Sequence, residues 1–398
     1  VARALASRVL ARQETGRLRR HVGWEVVDLV VDDAGACRGV VAIHTVTLAV
    51  ETWEAHGVCA CPGGYAGLWP RSTSPGRRGE LLWACVRRGA RLVTPEAAHF
   101  HPLVAAPPAP PRPWPWLALA GRGALTVEGE PVAHQGESPH AVTGAILRAC
   151  QARGLGPVGA LLAPDLDGLA SPPGAASGHG TAAGPFRVAP AVTRTLGGLE
   201  VGWRVSPRGE VEPSPLNGQT ALPGLYAAGQ VCGGLHGDCA LPGDESLATL
   251  FTARLAARGM LVSGHKGFRL GATSSREAQA VAETTTQALR ALSGCGGEEN
   301  PFLLGDEAAR VVGHAAGLLR CREDLEAGRA QLGGIQQRRL HAATPDAASV
   351  LEAWGLDARL ALADRVLEAA LARPESLGAE QRGDAPGDVT PAADGSAT

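Results

Sequence analysis

The chain carries almost no net charge: 37 Lys and Arg stand against 39 Asp and Glu over 398 residues, a formal −2. That balance excludes the single-sign field by which a protein gathers nucleic acid or an anionic membrane surface. Long apolar runs are missing too; no stretch reaches the roughly 18 residues of a membrane span, so no membrane span is expected. The opening VARALASRVLARQETGRLRR is Arg-rich and helix-like, without the apolar centre or small-residue cleavage site of a secretion signal. Lys is scarce beside Arg, a bias of coding composition more than of function. The nine cysteines are odd in number and scattered: Cys59 and Cys61 make only a C-x-C, and Cys232 and Cys239 have no matching pair. Neither a disulfide framework nor a zinc motif is read, so reduced thiols, a cytoplasmic setting and no metal are the expectation.

What is present is an ordinary globular composition, 45% hydrophobic and 19% charged, long enough for two or three domains. Strands are expected at Trp24–Asp33, Gly39–Glu51 and His56–Cys61, with Gly63-Gly64 turning the chain, and a helix over Gly79–Leu92. APPAPPRPWPW (106–116) reads as a polyproline-like connector or as an ordinary loop covering apolar surface. A helix follows over His140–Gly154, then a Gly-, Ala- and Ser-rich stretch over 168–185, then the strand-like FRVAP. The segment GLYAAGQVCGGLHGDCALPGDESLATLFTARLAA (224–257) reads as strand, glycine-heavy loop and a helix opening near Ser246, with Leu247, Leu250, Phe251 and Leu255 on its buried face. From about residue 275 the pattern is helical, including 306–328 and, after the cap-like Thr344-Pro345-Asp346, a long helix to Arg373. One G-x-G-x-x-G occurs, at 154–159, but it follows a helix, precedes a strand-like run and contains Pro157, so it reads as a helix-ending turn and not a dinucleotide fingerprint.

Five stretches, in order, resemble one flavoprotein superfamily. CPGGYAGLWPRSTSP (61–75) is similar to A-T-G-G-x-G-x-L-Y-x-x-T-T-N-P, and RRGELLWACVRRGARLVTPEAAHFHPL (77–103) to a T-G-D-G helix leading into D-x-E-F-x-Q-F-H-P-T. FRVAPAVTRTLGGLEV resembles I-P-V-x-P-A-x-H-Y-x-x-G-G-I-x-V, GQTALPGLYAAGQVCGGLHG resembles G-R-T-S-x-P-G-L-Y-A-A-G-E-V-x-x-x-G-x-H-G, and LARPESLGAEQRGDAP resembles A-x-x-R-x-E-S-R-G-x-H-x-R-x-D-x-P. The superfamily is that of the succinate dehydrogenase and fumarate reductase flavoproteins, with L-aspartate oxidase the nearest resemblance. It implies FAD, a small dicarboxylate or amino-acid substrate, and an α/β flavin-binding domain with an inserted α+β capping domain and a C-terminal helical domain. The expected division is 1–103 and 189–262 for the flavin domain, 104–188 for the cap, 275–375 for the helical domain and 376–398 for a disordered tail. The first βαβ has no counterpart in the sequence, so the flavin domain is expected to be incomplete, with a partner supplying the missing N-terminal part.

Flavin-dependent hydride transfer needs carboxylate clamps, a proton donor or acceptor, and positive potential beside the reduced flavin. By resemblance Gly63, Gly64, Glu80, Gln230, Ser246 and Leu247 fall at flavin-contacting positions, with Ser246 equally a plain N-cap. His101 matches a substrate-contacting His, although a His before Pro is often structural. His140 replaces the cap's proton-transferring Arg; imidazole titrates near neutrality, yet at a helix start beside Pro139 a solvent-facing residue is the plainer expectation. Ala240 replaces an Arg clamp, Thr193 a His, Leu117 a Glu and Gln230 a Glu, while Arg194 and Arg122 lie beside lost positions as substitutes. Losing clamps and the acid costs orders of magnitude in rate, so a degenerate, non-catalytic relative stands as the alternative to an active oxidoreductase.

Overall fold

The computed structural model describes residues 2–105, 125–132, 139–153, 160–162, 186–241, 243–265 and 272–384. The 106–116 connector, the 154–159 glycine turn, Leu117, Arg122, the stretch over 168–185 and residues 385–398 lie outside these.

After helix α1 (Ala2–Glu14), three strands, β1 (Trp24–Val31), β2 (Cys37–His44) and β3 (Val50–Glu54), form an antiparallel sheet in that order. The single strand expected over 39–51 is therefore two. Leu48 sits at φ 57°, and His44 Nδ1 accepts from the N–H groups of Val46 and Thr47, turning the chain into a hairpin. Strand β4 (Val58–Ala60) leads through the Gly63-Gly64 loop to α2 (Glu80–Arg87), β5 (Leu92–Val93) and β6 (Ala98–Ala105).

Short strands β7 (Leu125–Val127) and β8 (Glu130–Pro131), helix α3 (Pro139–Gln151), β9 (Ala160–Leu162) and β10 (Phe186–Thr195) build a smaller unit. Its sheet runs β6-β10-β9-β7-β8, and α3 covers it through a separate core of Leu103, Leu125, Val127, Val142, Ile146 and Val188. Both long strands, β6 and β10, continue into the main body, so the sheet of the small unit is rooted beside the main core.

The chain returns through β11 (Gly198–Leu199), paired with β5, and β12 (Leu225–Ala227), which runs parallel to β4. Gly197 and Gly198 are dictated by close approach: a Cβ on Gly197 would lie 1.9 Å from the Thr94 carbonyl oxygen, and one on Gly198 2.2 Å from that of Val231. Helix α4 (Asp244–His265) follows, two residues earlier than expected. Of the four residues expected on its buried face only Leu255 is buried; Leu247, Leu250 and Phe251 are exposed, because no described element packs over that side.

Helix α5 (Ala272–Leu292) packs on the β1–β3 sheet, while α6 (Pro301–Ala315), α7 (Arg322–Arg338) and α8 (Ala347–Ala372) pack on one another. The helix expected over 306–328 is broken. Trp69 Nε1 donates to the Ala316 carbonyl at 2.8 Å, and the chain then leaves the helix as β13 (Leu319–Arg320). Burial of Arg320 against Glu380 at 2.7 Å, with both side chains about 97% or more buried, holds it there. The cap-like Thr-Pro-Asp does start α8: Asp346 and Ser349 form a reciprocal capping box.

Strand β14 (Gln381–Arg382) pairs with β13. Residues 376–384, expected in a disordered tail, are thus tied in: Glu380 is 2% exposed and Arg382 5%.

Candidate functional site

The site lies where β6 and β10 enter the main body. Along β6, residues two apart share a face, which places His99 and His101 together while Phe100 turns into the main core. Opposite them on β10, Arg194 pairs with His99 and Ala191 with His101; the register slips between Val192 and Arg194, leaving Thr193 as the extra residue. That slip brings Arg194 and Thr195 to the end of the strand, beside the loop after β12. A cavity of about 140 Å³ opens there, lined by Arg194, Thr195, Gly229, Gln230, His236 and Glu245 among others.

Several buried polar atoms at this junction lack a hydrogen-bond partner: Nε and Nη1 of Arg194, Oγ1 of Thr195, Nδ1 of His99 and both ring nitrogens of His140. The remaining terminal nitrogen of Arg194, Nη2, pairs with Glu245 at the start of α4. Burial lowers the Arg194 pKa to about 10, which leaves it cationic at neutral pH. Burial and then the Arg194 charge push His99 down to about 3 and His101 to about 4. His236 is lowered by the same two causes, and His140 by burial, against Asp238. The imidazoles facing the guanidinium are therefore held neutral, with lone pairs to offer.

The structure brings some of the sequence-expected residues together and separates others. Gly64 packs on the cavity wall, where a Cβ would lie 2.4 Å from Thr195 Oγ1 and 3.1 Å from the Gln230 amide. Gly63, at φ 84°, lies under the Arg77 side chain, whose Nη1 donates to the Pro62 carbonyl at 2.8 Å. Glu80 is elsewhere: at the start of α2 it meets Arg78 at 3.2 Å and Arg359 at 3.6 Å, in a network completed by Glu352. It lines a separate cavity of about 390 Å³ with Glu25, Trp354 and Gly355. Ser246 and Leu247 are exposed in the first turn of α4.

His140, expected to face solvent, instead turns inward. Its ring lies 5.7 Å from that of His99, edge to face. Thr143 Oγ1, donating to the Phe100 carbonyl at 3.4 Å, ties the start of α3 to β6. Gly378, at φ 59°, makes room for it, since a Cβ there would lie 2.6 Å from the Asp238 carbonyl oxygen and 3.3 Å from His140 Nε2. Ala240 is 3% exposed and packs with Ala97, Leu196 and Leu377. Thr193 Oγ1 meets the His99 carbonyl oxygen at 3.4 Å. Residues missed by sequence reasoning are His99, Thr195 and Cys239, whose relation appears only when the two strands and the loop after β12 meet.

A parallel β4–β12 pair, a glycine-lined cavity at the start of a long helix, and a second sheet overhanging it define a flavin-binding class of fold. The FAD binding domain family matches residues 1–245, more than half of the sequence, and the chain belongs to that family. It is 27% identical over 207 residues to a fumarate reductase (CoM/CoB) polypeptide of Methanothermobacter marburgensis, a match covering 51% of this chain and 34% of that protein. It is 28% identical over 100 residues to the succinate dehydrogenase flavoprotein subunit of Bacillus subtilis, covering 25% and 17% respectively. The matched stretches thus span about a third or less of these curated relatives. Among solved structures, an E. coli quinol fumarate reductase superimposes with a TM-score of 0.77 at 22% identity, covering 96% of this chain and 69% of that one. Mycobacterium smegmatis Sdh1 in complex with UQ1 gives 0.75 at 21%, covering 95% and 65%. These structures share the fold.

FAD is the cofactor of the family, and the cavity suits one edge of a flavin. The orphaned Thr195 hydroxyl and the Gln230 amide supply donors there. Among the described residues no helix is long and apolar enough to cross a membrane.

Proposed function

We propose that this chain is the substrate-side part of an FAD-dependent oxidoreductase of the succinate dehydrogenase and fumarate reductase flavoprotein kind, acting on a small carboxylate. The observation that carries this is Arg194: a buried guanidinium with two nitrogens, Nε and Nη1, unpartnered is costly unless an anion completes it. It stands where a clamp is needed, in place of the Arg lost at Ala240. When bound, FAD supplies the hydride acceptor. Arg194 would orient the carboxylate, with His101 and His236 as neutral polar neighbours, and His140 would hold or pass a proton at a ring nitrogen. Within the family we favour the L-aspartate oxidase reading, aspartate to iminoaspartate in NAD biosynthesis, on the P-R-x-T-x-P stretch from Pro70 to Pro75 and the form of the C-terminal motif.

The exposed Leu247, Leu250 and Phe251 on α4 are the face on which we expect the rest of a flavin fold, from a partner or further chain, to pack. Nine cysteines outside any disulfide support a cytoplasmic setting.

Purified together with the part that completes the flavin fold and reconstituted with FAD, the chain should show a bound-flavin spectrum and release peroxide with aspartate; oxidation of reduced dye by fumarate without peroxide would favour a fumarate reductase. Arg194→Gln should raise KM for the carboxylate roughly 100-fold, as loss of a charge-assisted clamp worth about 3 kcal/mol implies. Turnover with neither substrate class, flavin being bound, would favour the non-catalytic relative, a reading supported by the apolar packing of Ala240 and by Glu245 occupying one side of Arg194.

A further inference from the structure

His99, His140 and Cys239 come from β6, the first turn of α3 and the loop after β12, positions 41 and 99 residues apart in sequence. One ring nitrogen of each His and the Cys239 sulfur lie within 4.8 Å of one another. His99 is 2% exposed, and its Nδ1 has no partner; neither ring nitrogen of His140 makes a full hydrogen bond, its near polar neighbour being the Asp238 backbone. Buried nitrogens left without partners are uncommon in folded proteins and call for an occupant.

We propose that His99, His140 and Cys239 form a binding site for a divalent metal ion of the zinc class, His140 being a ligand in the metal-bound chain and the proton carrier named above only in the metal-free one. Two imidazoles and a thiolate are the donor set that zinc accepts and that magnesium or calcium, with their preference for oxygen, do not. Zinc bonds of about 2.0–2.1 Å to nitrogen and 2.3 Å to sulfur place tetrahedral ligand atoms about 3.5 Å apart, so the three side chains close by about 1 Å, within reach of χ rotation. Three protein ligands leave the fourth position to water or to an oxygen of a small carboxylate. The charges are compatible: the Cys239 thiolate formed on binding, with Asp238 and Asp244 near it, offsets the ion beside Arg194.

Titrating cobalt(II) into the full-length, reduced, metal-free chain tests this without flavin or substrate, and so independently of the oxidoreductase reading. One equivalent should produce the visible bands of a tetrahedral site and a thiolate-to-cobalt charge-transfer band, both removed by zinc. Cys239→Ser, on a surface loop, should abolish the charge-transfer band, and His140→Ala should weaken binding by roughly tenfold or more, each with an unchanged far-UV circular dichroism spectrum. The double variant Cys59→Ser/Cys61→Ser removes a competing thiol pair, whose sulfurs are 3.7 Å apart, and should leave both signals intact. A chain that gives no cobalt spectrum overturns the proposal. So does a spectrum that survives Cys239→Ser and vanishes with the C59S/C61S pair.

Discussion

At the scale of single residues, Ala240 decides more than its size suggests. Its packing against Ala97, Leu196 and Leu377 means that restoring the family's Arg there would bury an unpaired charge. Ala240→Arg is expected to cost about 3 kcal/mol or more, read as a lowered denaturant midpoint, and not to recover activity. Glu380 gives a pH signature. Burial raises its carboxyl to about 7 despite the Arg320 partner, so the folded chain binds this proton more tightly than the unfolded one. Its contribution to stability is full below about 4.5 and falls as pH rises through about 7. Subtracting the Tm-against-pH curve of Glu380→Gln from that of the natural chain should expose a decline over that window; a flat difference would disprove it. Motifs make His101, Gly64 and Gln230 legible in the sequence, because each sits in a contiguous run. His99 and Cys239 are not legible there, because no spacing rule joins a strand, a helix start and a loop that meet only in three dimensions.

Among the elements, α8 is the most readable, its start written in Thr344-Pro345-Asp346 and its end near Arg373. Asp346→Ala should remove the capping box and lower the urea midpoint. The break between α6 and α7 is hidden, since Arg320 looks like a surface helical residue until Glu380 is brought against it. Gly328 marks how closely α7 approaches its neighbours: a Cβ would lie 2.8 Å from that of Ala315 and 3.1 Å from Leu367 Cδ1. Gly328→Leu should therefore force the helices apart at about 1–3 kcal/mol, whereas Gly333→Ala, with nothing within 4 Å, should be neutral or slightly stabilising. In helix α4 the apolar spacing points to a covered face, yet Leu247, Leu250 and Phe251 stay exposed, with Trp203 edge-on to Phe251 the one ring contact described on that side.

Across the whole molecule, strands first and helices last indicate the architecture correctly, and the small unit's place between two halves follows from motif order. What composition and periodicity withhold is the division of cores. The small unit has its own apolar cluster and joins the main body through β6 and β10. A unit so joined is expected to open on its own. Amide hydrogens of α3 should exchange faster than those of α6 and α8, and Ile146→Ala, a cavity of about 2–5 kcal/mol in that core, should speed exchange in α3 while leaving the helical unit unchanged. Equal protection in both units would show a single cooperative body. The bond from the Ala98 N–H to Glu380 Oε1, 2.8 Å long and spanning 282 positions, adds a practical consequence. Trimming the chain back past Glu380 in the search for a crystallisable fragment would remove none of the site residues, yet it would unfasten the strand that carries His99 and His101. Such a fragment would be judged inactive for the wrong reason.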